Sequence, residues 1–155
     1  MASPRTGTAA PRRDINVSYA GDRRALAVPT VCRAVSTVLD REKVGAATIA
    51  VTFMSSSRMR SLNRRTFGRD RATDVVAFPL PHDDELVGDV YICPSIARRS
   101  ARDVQISSRE ELLRLVVHGI LHVLGYDHPE GASRTRSRMW KLQEAYVASL
   151  MGGRV

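Results

Sequence analysis

The sequence predicts a single domain that combines β-strands with α-helices, and two observations support this. Segments that alternate apolar and polar residues indicate strands, and segments with apolar residues at helical spacing indicate helices between them. A chain of 155 residues is long enough to bury a hydrophobic core without disulfides, because chains near this size bury roughly two-thirds of their surface. We therefore expect one fold that carries one functional site.

Two strands and one helix are predicted in the first third of the chain. Residues 15–19 and 49–53 alternate apolar with polar side chains, which indicates two half-buried strands. Between them, apolar residues recur at helical spacing over residues 28–39, and Pro29 stands where the first turn of a helix tolerates proline. This segment is expected to be an amphipathic helix.

Two further strands are predicted in the middle of the chain. A basic stretch at residues 57–67 is expected to be helical, and it leads through Gly68 to the apolar run 75–78. Residues 86–92 are expected to form a fourth strand, which Pro94 stops before a short basic helix. The predicted domain therefore contains about four strands.

Both ends of the chain are expected to lie outside the domain. Residues 1–13 contain no acid and show no apolar periodicity, so we expect a disordered basic leader. The single domain is placed at residues 14–150, with a flexible C-terminus expected at 151–155. The sequence has no run of about 18 apolar residues, so no membrane span is expected.

The two cysteines suggest a reducing compartment. Cys32 and Cys93 are far apart and form no C-x-x-C pair, so the sequence indicates neither a disulfide framework nor a redox motif. A cytoplasmic protein fits this pattern best.

The positive charge of the chain comes almost wholly from arginine. Only two of the 24 basic residues are lysines, against 16 acids, which gives a net charge of +8. Arginine presents a fork of donors that matches phosphate oxygens, and a pI near 10.5 is typical of a nucleic-acid-binding protein. A genome-wide preference for arginine codons explains the ratio equally well, and three of the arginines lie in the expected leader.

A long buried helix is predicted after Ser107 or Ser108. The segment S-S-R-E-E places Glu three residues after Ser, which is the capping-box pattern of a helix start. The residues that follow are apolar on nearly every side, as in a helix buried within a domain. His118 and His122 lie in this helix four residues apart, so they project from the same face and can reach one ion.

A third histidine follows the predicted end of this helix. Gly125 is the residue type that ends a helix in the left-handed conformation, after which the chain turns back to His128. On a continuous helix, six residues rotate a side chain by about 240°, so His128 could share a face with His122 only because of this turn. We predict that His118, His122 and His128 hold one zinc ion per chain.

Three imidazoles around zinc predict catalysis, with two alternatives left open. Three protein ligands leave a fourth tetrahedral position for water, whose pKa zinc lowers to about 7, so that hydroxide can attack a phosphoryl or acyl centre. One alternative is that the histidines are core residues hydrogen-bonded to their neighbours. The other is a structural zinc, for which Cys93, His82 or Asp127 would have to supply a fourth ligand.

The histidine motif and two upstream segments resemble a known family. Residues 118–128 read H-G-I-L-H-V-L-G-Y-D-H, which is similar to the H-G-x-L-H-x-x-G-Y-D-H signature of the YbeY family. Residues 73–79 resemble the family segment T-[DN]-V-L-S-F-P, and residues 88–92 resemble its strand G-D-I-x-I. The resemblance covers about residues 14–150.

This resemblance implies both a fold and an activity. The implied fold is zincin-like and of the α+β class, with a small mixed β-sheet of about four strands packed with helices and the metal site on a central buried helix. The implied activity is that of a zinc-dependent endoribonuclease acting on single-stranded RNA. The implied process is 16S rRNA 3′-end maturation and ribosome quality control, with rRNA and the ribosome as partners in the cytoplasm.

One departure from the family concerns a phosphate contact. Many members carry an arginine just after L-N-x-x-[YF], whereas this chain has Phe67 there. Arg64, Arg65 or Arg69 could supply the charge instead and are our candidates for RNA binding. The six arginines between positions 58 and 71 are equally compatible with one solvated helix face and loop.

Other positions bear on the mechanism. The histidine spacing is also that of metzincin proteases, but their general-base glutamate would fall at Gly119, which has no side chain. Ala77 replaces the serine of the family segment, so a hydroxyl is lost there. The catalytic acid and base are unassigned, and Asp127 and Asp74 are candidates for an acceptor that orients a ligand histidine. A turn carboxylate and a strand-end cap are the alternative roles of these two aspartates.

Three functions therefore compete. The leading hypothesis is an RNA phosphodiesterase that uses zinc, with arginines holding the backbone. The second is a ribosome assembly factor without catalytic activity, in which zinc only fixes the fold. The third is a zinc hydrolase of another substrate.

Overall fold

Four strands form one mixed sheet in the computed structural model, which describes residues 9–21 and 25–152. The strands are β1 (Arg13–Ala20), β2 (Ala47–Met54), β3 (Val75–Leu80) and β4 (Leu86–Ile92). Their order across the sheet is β1-β2-β4-β3, in which β1, β2 and β4 run parallel and the edge strand β3 is antiparallel to β4. The α+β class and the small mixed sheet predicted from the sequence are confirmed.

Each α-helix begins where the sequence supplies a cap or a proline. The α-helices are α1 (Val28–Arg41), α2 (Ser56–Phe67), α3 (Pro94–Asp103), α4 (Ser108–Val123) and α5 (Arg138–Leu150), and a 3₁₀ helix (Gly131–Arg136) precedes α5. At the start of α4, the side chain of Ser107 accepts the backbone N–H of Glu110, so this residue is the predicted N-cap. In the described part of the chain, no helix has both the length and the apolar character needed to span a bilayer.

Helix α4 is the central element of the fold. It packs against α1, α3, α5 and the strands β3 and β4, and residues 115–121 are all buried. A helix that is apolar on every side is stable only when neighbours cover all of its faces. This position places the two histidines of α4 inside the domain.

Two glycines allow α4 to lie directly on β4. A Cβ atom at Gly119 would lie 2.4 Å from Cγ1 of Val90, and a Cβ at Gly88 would lie 2.4 Å from Cγ1 of Val123. Gly119 of α4 therefore packs against Val90 of β4, and Gly88 of β4 packs against Val123 of α4. Because the interior is closely packed, these two contacts fix how far α4 can slide or rotate on the sheet.

The first strand and the expected leader share one residue. Strand β1 begins at Arg13, one residue into the expected leader, because this residue pairs with Ala47 and its guanidinium binds the carboxylate of Asp40. Residues 1–8 of the expected leader and residues 153–155 of the expected flexible C-terminus lie outside the described residues.

Candidate metal centre

Three histidines meet at the end of α4. His118 and His122 project from the last two turns of the helix, and His128 follows in the loop after it. One ring nitrogen from each can be chosen so that all three lie within 4.8 Å of one another, and the ring centroids are 4.6–5.1 Å apart. The three imidazoles are close enough to ligate one ion.

The turn after α4 brings the third histidine back. Gly125 has a φ of +98°, which lies in the left-handed region that favours glycine. Its N–H donates to the carbonyl of His122, and the N–H of Tyr126 donates to the carbonyl of Leu121, both at 3.0 Å. This pair of bonds is a Schellman motif, which ends the helix and reverses the chain.

A hydrogen bond to Glu42 also holds the turn after α4 in place. Glu42 follows α1, and its carboxylate accepts hydrogen bonds from the hydroxyls of Tyr126 and Tyr146. The bond from Tyr126 measures 2.7 Å. One carboxylate therefore ties the metal-site loop to α1 and α5.

Hydrogen bonds select which nitrogen of each histidine can bind a metal. Nδ1 of His118 bonds Oε1 of Gln143 at 2.7 Å, Nδ1 of His122 bonds the carbonyl of Tyr126 at 3.0 Å, and Nδ1 of His128 bonds the carbonyl of Pro129 at 3.1 Å. An amide oxygen only accepts, so each Nδ1 carries the hydrogen. Nε2 is left as the free ligand atom of all three rings.

The orientation of Gln143 is set by a chain of charges behind it. Its Nε2 donates to Oε1 of Glu144 at 3.1 Å, and because a carboxylate only accepts, the amide oxygen must face His118. Glu144 in turn receives two hydrogen bonds from Arg114, at 2.7 and 3.0 Å. A buried amide, a carboxylate and a guanidinium thus hold His118 in one tautomer.

Burial keeps two of these histidines neutral. Desolvation lowers the pKa of His118 to about 4, with smaller contributions from the positive charge of nearby groups including Arg134. Burial and the charge of His128 also lower the pKa of His122. A neutral imidazole is the form that binds metal, so proton competition at these two positions is weak near neutral pH.

A cavity of about 650 Å³ opens beside the three histidines. Its wall includes Arg69, Phe67, Arg134 and the beginning of β3 with Ala77. The alanine that replaces the family serine therefore faces this cavity, where a serine would have offered a hydroxyl. The space is ample for one nucleotide or a small ester beside a metal ion.

The two candidate aspartates accept hydrogen bonds from backbone groups rather than from the histidine rings. Asp127 accepts the backbone N–H of His128, and Asp74 accepts the backbone N–H of Val75, both at 2.8 Å. The acceptors on the histidine rings are an amide and two carbonyls instead. Both aspartates line the cavity, but their hydrogen bonds are those of a turn carboxylate and a strand-end cap.

The candidate RNA-binding arginines lie in different surroundings. Arg69 lines the cavity beside the histidines. Arg64 lies on the exposed face of α2, 3.9 Å from Asp70, and Arg65 donates to the backbone carbonyl of Ser61. Of the three, only Arg69 is placed to meet a substrate at the metal centre.

No fourth protein ligand joins the group among the residues that the structure describes. Cys93 is fully buried in a separate apolar cluster with Met54 and Met59, and His82 lies in the exposed loop between β3 and β4. Asp127 is next to His128 but is not part of the group of ligand atoms. The geometry is therefore that of an open, three-ligand site.

A protease-type general base is sterically excluded at Gly119. The position faces Val90 at a distance that leaves no room even for a methyl group. A glutamate there would force α4 off the sheet and move both helical histidines. Gly119 is therefore required for the packing of α4 on β4, and it also leaves the site without the glutamate that serves as a base in metzincin proteases.

Two residues beside the histidines were not among the candidates from the sequence. Gln143 is 1% exposed and shares the buried face of α5 with Met139, Tyr146 and Val147. A lone amide on an apolar helix face was a readable signal, since buried polar groups need partners. Arg134, in the 3₁₀ helix, carried no comparable signal because only the fold brings it to the histidines.

The fold and the site define a class: an α+β domain with a three-histidine candidate metal centre on a buried helix, as in metal-dependent hydrolases. The family model described as Endoribonuclease YbeY matches residues 20–151. The chain is 37% identical over 112 residues to endoribonuclease YbeY of Thermotoga maritima, covering 72% of this chain and 73% of that protein. It is 34% identical over 129 residues to endoribonuclease YbeY of Persephonella marina, covering 80% and 83%.

The solved structures agree with this match. The solution structure of TM1509 from Thermotoga maritima is similar with a TM-score of 0.63 and 30% identity, and the match covers 89% of each chain. The chain belongs to the endoribonuclease YbeY family, a family of nuclease hydrolases. The resemblance inferred from the histidine motif is confirmed.

Proposed function

We propose that this protein is a zinc-dependent endoribonuclease that cleaves single-stranded RNA. The observation that carries the proposal is the set of three imidazoles, each with Nδ1–H bonded to a carbonyl oxygen and Nε2 free, beside an open cavity. Three neutral nitrogen donors without a fourth protein ligand are the donor set of catalytic zinc. Membership in an endoribonuclease family supports RNA as the substrate.

Different residues of the site hold the metal ligands and bind the RNA. When bound, zinc supplies a Lewis acid for a phosphate oxygen and activates water for attack at phosphorus. Gln143 and the carbonyls of Tyr126 and Pro129 hold the three rings in the ligating tautomer. Arg69, at the cavity wall, contacts the RNA backbone and neutralises phosphate charge.

The family and the charge of the chain both support a proposal for the cellular role. We propose that the enzyme acts in 16S rRNA 3′-end maturation and in ribosome quality control, in the cytoplasm, with rRNA and the ribosome as partners. A net charge of +8 supports a nucleic-acid partner, because cationic side chains release counterions from phosphates. The geometry favours this function over a zinc that only fixes the fold, since the group of ligand atoms has no fourth member among the described residues.

The test compares two histidines of the same chain. Replacing His122, a proposed ligand at the end of α4, by alanine should reduce zinc from about one ion per chain to near zero and abolish cleavage of a labelled single-stranded RNA. Its circular dichroism spectrum should stay unchanged. His82→Ala, at an exposed position away from the site, is the matched control and should keep zinc and cleavage.

Each contrary result has a distinct meaning. Cleavage that survives in zinc-free His122→Ala would overturn the proposed mechanism. Loss of the folded spectrum in this variant would favour the structural-zinc alternative. Wild-type protein that binds zinc and cleaves only peptides or esters would point to another substrate.

A further inference from the structure

Arg134 brings a positive charge to the wall of the cavity at the metal centre. It lines the cavity beside the three histidines, and its charge contributes to lowering the pKa of both His118 and His122. Among the described residues, Nε of Arg134 is buried without a hydrogen-bond partner. A donor left in this way is costly unless an acceptor arrives with a ligand.

Two other arginines of the domain are held by carboxylates. Arg114 is held by three carboxylates, and Arg60 forms a two-point ion pair with Asp70. The guanidinium of Arg134 instead lies over the ring of Trp140, 5.6 Å from its centroid. Stacking on an aromatic ring limits the motion of a guanidinium and so holds its charge in one place.

Phe67 presents an aromatic surface to the same cavity. Its side chain is 51% exposed, although burial of an aromatic ring is normally favourable. The ring stacks on Phe78, with centroids 6.0 Å apart and planes inclined by 11°. A ring that is supported by a second ring and still half exposed is typical of surfaces on which nucleobases stack.

We propose that this cavity binds one nucleotide of an RNA strand through two contacts, with a phosphate oxygen bound by Arg134 and a base stacked on Phe67. The inference rests on the proposed function and deepens it, because it names the residues that recognise the substrate. Position 67 cannot supply the phosphate contact that an arginine would make there. Arg134, in the 3₁₀ helix, provides the positive charge instead. Phe67, at the end of α2, provides a ring on which a base can stack.

The charges around the cavity are compatible with an anionic ligand. Three carboxylates line it, those of Asp74, Asp127 and Glu130, and the two aspartates each have one oxygen engaged by a backbone N–H. Arg69 and Arg134 offset two of these three negative charges, and a divalent ion on the histidines makes the local sum positive. A phosphate is therefore attracted once the metal is present.

The phosphate contact is tested by the salt dependence of RNA binding to the zinc-loaded full chain. Fluorescence anisotropy of a labelled single-stranded RNA, read before cleavage, gives the affinity at several salt concentrations. Arg134→Gln should weaken binding about tenfold and flatten the log–log salt slope by about 0.7. Arg134→Lys should restore the slope, and Arg136→Gln, at an exposed position of the same 3₁₀ helix, is the matched control.

The base contact is tested with a second probe. Phe67→Ala should weaken binding of the RNA about tenfold without changing the salt slope, and Phe67→Trp should bind like the wild type. An oligonucleotide of the same length without bases should bind Phe67→Ala and wild type equally, yet still bind Arg134→Gln more weakly. Leu80→Ala removes an exposed apolar side chain of β3 away from the cavity and should have no effect.

The outcomes separate this site from the proposed function. Wild-type protein that binds RNA without salt dependence would count against RNA as the substrate. Salt-dependent wild-type binding, with Arg134→Gln equal to Arg136→Gln, would overturn the two-contact site alone. A Phe67→Ala penalty that persists with the base-free oligonucleotide would overturn it as well. Zinc content and thermal unfolding of each variant confirm that the comparison is made between folded, metal-loaded proteins.

Discussion

At the scale of single residues, the site depends on the groups behind the histidines as much as on the histidines. A histidine binds metal only when it is neutral and when its free nitrogen points to the ion. Here burial keeps His118 neutral, and Gln143 fixes its free nitrogen. Glu144 orients the amide. Burial raises the pKa of Glu144, but hydrogen bonds from Arg114 and Gln143 outweigh this effect, so the pKa is lowered and the carboxylate stays charged.

Replacing Gln143 therefore tests an orienting role. Gln143→Met keeps the size and the burial of the side chain but removes the acceptor of the His118 Nδ1–H. We expect zinc affinity to fall by about 10- to 100-fold, as for other residues that orient metal ligands. The measurement is a titration of zinc against a chromophoric chelator.

Lys141→Met, at an exposed position of the same helix, is the control for this substitution and should leave the affinity unchanged. Equal affinities of Gln143→Met and wild type would mean that His118 is oriented by packing alone. A cleavage assay at saturating zinc separates lost affinity from lost activity.

At the scale of elements, the turn that ends α4 decides whether three histidines can converge. A Cβ atom at Gly125 would meet no other atom within 4 Å, so a substitution there acts only through the positive φ. β-branched residues resist this conformation, whereas asparagine adopts it more readily. The two types of substitution therefore separate backbone conformation from side-chain volume.

We expect Gly125→Val to lose zinc nearly as completely as a histidine variant does, because the chain no longer turns back to His128. Gly125→Asn should keep most of the zinc affinity. Elemental analysis of the two purified proteins measures the difference. Full zinc content in Gly125→Val would show that the loop reaches the metal by another path.

The contact between α4 and β4 is the second element-scale determinant. Gly119→Ala would place a methyl group 2.4 Å from Cγ1 of Val90, and overpacking of this kind costs about 1–3 kcal/mol. Val90→Ala removes the obstructing methyl groups. The double variant should therefore be more stable than the sum of the two single effects predicts.

Urea unfolding of the four proteins in this cycle gives the coupling energy between positions 119 and 90. A favourable coupling of about 1 kcal/mol or more is expected. Strictly additive effects would mean that α4 moves away from the sheet to accept the methyl group. Zinc affinity measured on the same proteins reports whether that movement displaces the histidines.

At the scale of the whole molecule, the buried histidines couple folding to pH. The pKa of His118 is about 4 in the folded chain, against 6.5 when exposed. Between these values the unfolded chain binds a proton that the folded chain does not, so stability decreases as pH falls from about 6.5 to 4. Burial lowers the pKa of His122 too, which adds to the effect.

We expect the zinc-free protein to lose up to about 3 kcal/mol of unfolding free energy over this window through His118 alone. Urea unfolding at a series of pH values measures the loss. In His118→Gln, the unfolding free energy should change with pH by that much less. The comparison separates the contribution of His118 from that of carboxylates that titrate in the same pH range. Parallel profiles for the two proteins would contradict the low pKa of His118.

Local elements and the set of histidines could be predicted from the order of residues alone. The strands at β1 and β2, the cap at Ser107 and the turn at Gly125 follow from patterns within a few residues, where backbone preference and side-chain spacing act directly. The spacing of His118 and His122 on one helix is a local pattern of the same kind. These features carried the family assignment.

The groups that surround the histidines could not be predicted from the sequence, because folding brings them from distant positions. Gln143 reaches His118 from 25 residues away, and Arg134 and Phe67 come to one cavity from different elements. Asp127 and Asp74, which are close in sequence or in family pattern, instead satisfy backbone N–H groups. The sheet order β1-β2-β4-β3 was likewise not readable, because it depends on how helices and strands bury their apolar faces together. Contacts between distant residues arise from this common packing, and no local pattern records them.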